Sequence, residues 1–184
     1  MIVALRKELK ILFGQPLIYI IAGIFSLVVG ILFYSLLLHY INNVQDQLTQ
    51  VDSANKLQLI TSQLIFPIIG NINFLMMILA PAMVMSAFSD EYRGGTFPLL
   101  VHSALSAWSF ITAKFFANVI ALLFVLSTIT IIPLLLWYAG IYEYSFLYLG
   151  MLAIFFNLAF FVALGLWCSS LTQYPILAMF MTYA

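Results

Sequence analysis

The chain has 184 residues, of which 65% are hydrophobic and only 7% are charged, and its formal net charge is zero. Ordinary soluble domains carry roughly a quarter charged residues, so this composition predicts a protein whose main solvent is lipid. The zero net charge gives no sign of nucleic-acid binding. The single cysteine, Cys168, excludes an internal disulfide and a multi-cysteine metal site.

The first thirteen residues predict an amphipathic helix that lies along the membrane surface. Its apolar face consists of Ile2, Leu5, Leu9 and Leu12. Its basic face consists of Arg6, Lys7 and Lys10, which would lie near anionic lipid headgroups. The alternative is a basic anchor that only sets the topology.

Four apolar runs are long enough to cross a bilayer, which takes about 20 residues as a helix. They are residues 17–41, 64–88, 115–138 and 146–168. A fifth run begins after Pro175 and is apolar to Ala184, so we expect the functional polypeptide to continue by about two more spans. A cleaved signal peptide is a poor reading of the first run, because the run is too long and no small-residue cleavage site follows it.

The basic residues predict the orientation. Five of the six lysines and arginines precede the first run or lie between the second and third, and only Lys56 lies between the first and second. The positive-inside rule therefore predicts a cytoplasmic N-terminus. Residues 42–63 and 139–145 are then outside, and the polar segment that follows the second run is inside.

Enzymatic chemistry has no support in the pattern. The chain has no glycine-rich phosphate loop with a following lysine, His39 and His102 lie at opposite predicted faces, and no nucleophile–base cluster can be assembled. We expect no catalytic residue, no metal and no cofactor. No charge is predicted deep inside a complete span, which disfavours a secondary carrier. The deep amides Asn71, Asn73 and Asn157 predict hydrogen bonds between helices, or else the lining of a polar path.

The segment between the second and third runs carries the most information. Ser89 is predicted to cap a short helix whose first turn holds Asp90 and Glu91, and Gly94-Gly95 is predicted to end or bend it. The pattern favours a short helical hairpin on the cytoplasmic surface, and the alternative is a solvated loop.

This segment resembles the permeases of ABC type-2 exporters, closest to the gliding-motility-associated branch. The matching positions are Pro81, Ala82, Met85, Phe88, Ser89, Glu91, Gly95, Thr96, Leu99, Leu100, Ser106, Lys114 and Phe115. The opening Arg6-Lys7-Glu8-Leu9, followed by Phe13 and Pro16, also matches. The chain departs from the family pattern at Ser86, where an arginine is usual, at Pro98, where a glutamate is usual, and around Ala104-Leu105, where a turn proline is usual.

The resemblance implies an all-α, polytopic bundle over residues 1–184, incomplete at its C-terminus, in a bacterial inner membrane. It implies a second permease chain as partner, in a homodimer or heterodimer, and a separate cytosolic ATPase. The ATPase would dock on a coupling helix, whose residues are Ser89, Asp90, Glu91, Arg93, Gly94, Gly95, Thr96, Leu99 and Leu100. A membrane scaffold without transport activity shares the hydropathy but needs no such docking segment, and it stays the main alternative.

Overall fold

The structure, a computed structural model, describes residues 2–43, 61–93, 107–129 and 144–184. Every regular element in these ranges is a helix. They are α1 (Ile2–Gly14), α2 (Pro16–Asn43), α3 (Phe66–Val84, entered through a π-helical turn at Thr61–Ile65), α4 (Ser86–Arg93), α5 (Ala107–Ser127), α6 (Tyr144–Leu171) and α7 (Pro175–Tyr183).

Four stretches are long and apolar enough to cross a membrane: Pro16–Asn42, Ser62–Ser89, Trp108–Ser127 and Tyr148–Leu171. The prediction of four spans is therefore confirmed. Short α7 covers only nine residues, and both the fifth span and the continuation of the chain past Ala184 stay predictions.

The helix of the third span begins earlier in the chain than the predicted apolar run. It begins at Ala107 rather than at residue 115, and the predicted end at residue 138 falls outside the described residues. The predicted start missed the first turns of the helix because we began the apolar run after Lys114, a charged residue. In the structure Lys114 lies inside the helix and is buried among its neighbours, whereas its depth in the membrane stays a prediction.

Helix α2 shows how the bundle divides core from lipid. One line of its side chains is buried against α3 and α5, namely Ile18, Ala22, Phe25 and Val29. Apolar residues on its other side, including Ile20, Ile24, Leu27 and Ile31, are exposed. This spacing is that of a helix with one face in a core and the other in hydrocarbon.

Helix α1 packs along α5, with one side buried and the other exposed. Its buried side is centred on Ala4 and Glu8, whereas Ile2 is 80% exposed although we assigned it to the apolar face. The basic residues Arg6 and Lys7 are exposed, and so is Lys10. An acidic residue thus occupies the packed face of this helix.

Helices α3 and α6 approach closely because glycines lie between them. A Cβ atom on Gly165 would lie 3.1 Å from Cγ1 of the fully buried Val84, and one on Gly150 would collide with Ile69. Between these two contacts, Nδ2 of Asn157 donates a hydrogen bond of 2.7 Å to Oδ1 of Asn73. Small residues and side-chain amides commonly bring membrane helices together in this way.

Replacement of Gly165 by valine should destabilise the bundle by about 1–3 kcal/mol, because the stiff side chain would be forced against Val84. Gly30→Val is the matched control, since a Cβ at Gly30 meets nothing within 4 Å. The unfolding midpoint in detergent should fall for Gly165→Val only. Equal losses in both variants would mean that valine affects the helix backbone alike at both sites and that the contact between α3 and α6 is not tight at Gly165.

Candidate functional site

Two charged side chains meet inside the bundle where α1 crosses α5. The ammonium Nζ of Lys114 lies 3.3 Å from Oε2 of Glu8, and the two side chains are only 5% and 10% exposed. The same Nζ donates a hydrogen bond of 2.8 Å to the backbone carbonyl of Ala87 in α4. It also lies 5.3 Å from the ring centre of Phe88 and 5.0 Å from that of Phe110. One cation therefore joins α1, α4 and α5.

The physical reason for this arrangement is the high cost of a buried charge. Lys114 lies about two turns into α5 and is buried among its neighbours. An ammonium kept out of water in this way needs a counter-ion and hydrogen-bond acceptors. Glu8 supplies the negative charge, the Ala87 carbonyl accepts a hydrogen bond, and the faces of two aromatic rings add cation–π attraction.

A second cluster of polar groups holds α4 from the other side. The hydroxyl of Ser169 on α6 accepts hydrogen bonds from the backbone N–H groups of Phe88 (3.0 Å) and Ser89 (3.2 Å). It donates in turn to the carbonyl of Met85 (2.9 Å), the residue between α3 and α4. Ser89 and Ser169 are both fully buried, with their hydroxyl oxygens 3.2 Å apart.

Ser169 therefore forms hydrogen bonds with the backbone at the point where the helix of the second span is interrupted. Met85 keeps right-handed helical angles, so α3 and α4 follow one path with a local break. N–H groups in the first turn of a helix lack partners within the helix, and here a serine from another helix accepts from that region. We call the four side chains Glu8, Lys114, Ser89 and Ser169 the α4 clamp.

Our prediction that Ser89 caps a short helix is wrong. Helix α4 begins at Ser86, so Ser89 lies inside it. The Ser89 hydroxyl donates back to the carbonyl of Met85, four residues earlier. A buried serine finds its acceptor there, as serines in membrane helices often do.

The other predicted site residues lie in three places. The backbone of Asp90, Glu91 and Arg93 completes α4. The rest of the proposed coupling segment lies outside the described residues: Gly94, Gly95, Thr96, Leu99 and Leu100. Of the deep amides, Asn73 and Asn157 are bonded to each other, and Asn71 is half-buried nearby in α3.

Little in the sequence pattern predicts the α4 clamp. The family pattern includes Glu8 and Lys114, and Lys114 also counts toward the predicted orientation, but neither residue is predicted to pair with the other, and no pattern singles out Ser169. Glu8 and Lys114 are 106 residues apart, so no local periodicity relates them. The usable clue was an acidic residue on the face of α1 opposite to its basic residues.

Mainly apolar side chains line two cavities between described helices. One of about 340 Å³ lies beside the clamp among α4, α5 and α6, where Phe88 and Trp167 line it. The other, of about 270 Å³, lies between α2 and α3. No ionisable side chain lines either cavity, so neither offers the chemistry of an active site.

A family model for the ABC-2 type transporter matches residues 1–184. The chain belongs to the ABC-2 type transporter family. Four membrane-spanning helices and this match identify a multi-pass membrane permease of an ABC transporter, which acts in transmembrane transport. The resemblance seen in the sequence is confirmed at the level of the family, whereas the gliding-motility branch stays a prediction. No curated protein and no solved structure matches the chain.

Loss of one partner of the Glu8–Lys114 pair should cost about 3–5 kcal/mol, because the other charge stays buried without its counter-ion. We expect Lys114→Met and Glu8→Leu each to lower the unfolding midpoint in detergent strongly. The double variant should be more stable than either single variant, because it buries no lone charge.

Lys7→Met is the matched control, because Lys7 is an exposed lysine on the same helix as Glu8. It should change stability by less than about 0.5 kcal/mol. Additive losses in the double variant would show that Glu8 and Lys114 do not stabilise each other.

Proposed function

We propose that this permease is the membrane-spanning subunit of an ABC exporter that works with a separate cytosolic ATPase and a second permease chain. We place it in a bacterial plasma membrane with a cytoplasmic N-terminus. In this proposal residues 89–100 form the coupling segment on which the ATPase docks. The spans of the two permease chains then enclose the path of the substrate.

The observation that carries the proposal is the α4 clamp. Helix α4 is the described part of the segment that the family resemblance assigns to coupling. Its backbone is bonded to Lys114 on one side and to Ser169 on the other. A force applied to α4 would therefore act on α5, α6 and, through Glu8, on α1.

Such connections suit a transporter driven by a partner. ATP binding and hydrolysis can drive transport only if the ATPase favours one packing of the spans over another. Packed helices usually move as rigid bodies between discrete arrangements. A coupling helix that is hydrogen-bonded to its neighbours would move them when the ATPase displaces it, whereas a coupling helix on a free loop would move without them.

The position of the clamp also supports the proposed topology. Helix α1 meets the beginning of α5, and the end of α6 meets α4. The N-terminal helix and the segment after the second span are thus at one end of the bundle, as the positive-inside rule predicts. The exposed side chains of Arg6, Lys7 and Lys10 at that end suit a surface of anionic headgroups.

The polar amides of α3 have a more limited role in the proposal. The hydrogen bond between Asn73 and Asn157 favours the reading of these groups as links between helices. Asn71 is half-buried, and it would line a polar path if the second permease chain faces α3.

Cysteine labelling in intact cells tests the topology. In a Cys168→Ser background, a maleimide that cannot cross the membrane should label Lys56→Cys from outside and should not label Arg93→Cys. Permeabilised cells should label both. Labelling of Arg93→Cys in intact cells would reverse the orientation, and the proposed ATPase contact would fail with it.

Substitution in the coupling segment tests the partner. Glu91→Ala and Gly95→Leu should reduce co-purification of the ATPase, or its stimulation by the permease, while membrane insertion stays normal. A carboxylate in a desolvated, hydrogen-bonded contact contributes about 1–3 kcal/mol, so Glu91→Ala should weaken association by about fivefold to 150-fold.

Asp52→Ala is the matched control, because it removes a carboxylate from the segment predicted to be outside. It should leave association unchanged. Wild-type association and turnover in both coupling variants would contradict the proposal and favour a membrane scaffold.

A further inference from the structure

A proline inside α3 breaks the hydrogen-bond ladder of the second span. Pro81 lies within α3 and is buried. Proline has no N–H group, so the carbonyl four residues earlier, that of Met77, receives no helical hydrogen bond from it. In a membrane such a carbonyl needs another donor, because hydrocarbon offers none.

The hydroxyl of Tyr183 lies at this gap. Its oxygen is 3.0 Å from the carbonyl oxygen of Met77 and 2.8 Å from that of Ile78. A tyrosine O–H is a donor, and both of these oxygens are acceptors. Tyr183 is the last residue of α7, which packs against α3 and α6. The two carbonyls can share the one proton of this hydroxyl, so a residue about a hundred positions away in the chain lies in place to supply the donor that Pro81 lacks.

We propose that Tyr183 is a positioning residue that replaces the missing N–H of Pro81 and so fixes α7 to the proline-containing turn of the second span. The hydrogen bond satisfies two polar groups at once. The Met77 carbonyl needs a donor, and a tyrosine hydroxyl in apolar surroundings needs an acceptor. Among the described residues, the Tyr183 hydroxyl makes the only hydrogen bonds that link α7 to another helix.

The location gives this bond a role in transport, and that part rests on the proposed function. Pro81 lies one turn before the break at Met85, where α4 begins, and the N–H of Met85 still donates to the Pro81 carbonyl (2.9 Å). Proline-containing turns are where membrane helices bend most readily. Tyr183 therefore holds the turn through which a movement of α4 reaches the rest of the second span.

A double-mutant cycle tests the assignment without any ATPase. Tyr183→Phe removes only the hydroxyl, and Pro81→Ala restores an N–H that can bond Met77 within the helix. In the Pro81 background, Tyr183→Phe should lower the unfolding midpoint in detergent by about 3–6 °C. In the Pro81→Ala background the same change should lower it by less than about 1 °C, because the carbonyl then has its own donor.

Tyr148→Phe in α6 is the control, because Tyr148 is 71% exposed. It should change the midpoint by less than about 1 °C in both backgrounds. Equal losses for Tyr183→Phe in both backgrounds, or no loss in either, would overturn the proposal, because the stabilising effect of the hydroxyl would then not depend on Pro81.

The cycle also separates this proposal from the proposed function. If the Tyr183 effect depends on Pro81 while no ATPase binds the protein, the assignment of Tyr183 stands and the exporter proposal fails. If the ATPase binds and Glu91→Ala weakens that binding, while the loss of stability from Tyr183→Phe is the same with and without Pro81, the exporter proposal stands and the assignment of Tyr183 fails.

Discussion

The described structure depends most on a single ammonium group that is kept out of water. Lys114 is 4% exposed, and a cation in that position is stable only if negative charge and acceptors surround it. Glu8 has to come from α1, and the carbonyl of Ala87 has to come from α4. One requirement of electrostatics thus fixes the positions of three helices. The aromatic rings of Phe88 and Phe110 close the site from the sides.

The segment α4 is unusual because its backbone is bonded to its neighbours through side chains. Most membrane helices satisfy their backbone groups internally and touch others only by van der Waals packing. Here the break at Met85 exposes polar backbone groups, and Ser169 engages them from α6. A similar solution serves Pro81, where Tyr183 supplies the donor. The second span is therefore held by directional bonds at the places where its own ladder is weakest.

Much of the fold could be predicted from the sequence because lipid imposes simple rules. A run of about 20 apolar residues becomes a spanning helix whatever its details, and all four were found. The site was harder to predict. Hydropathy treats every charged residue as the end of an apolar run, so the predicted third run began only after Lys114. The pairing of that lysine with Glu8, and of Ser169 with α4, joins residues that are 106 and about 80 positions apart. Such contacts follow from packing in three dimensions, which no local pattern records.

The distance along the chain between Glu8 and Lys114 has a consequence for biogenesis. A ribosome adds roughly 5–20 residues per second, so α1 waits for several seconds before its partner helix is made. Ser169 is synthesised later still, which makes α4 one of the last parts of the bundle to gain its final bonds. Until Lys114 is made, the carboxylate of Glu8 has no counter-ion, and until Ser169 is made, the backbone of α4 lacks one of its acceptors. The nascent permease therefore passes through an interval in which a carboxylate and backbone groups that the finished bundle buries still lack their partners.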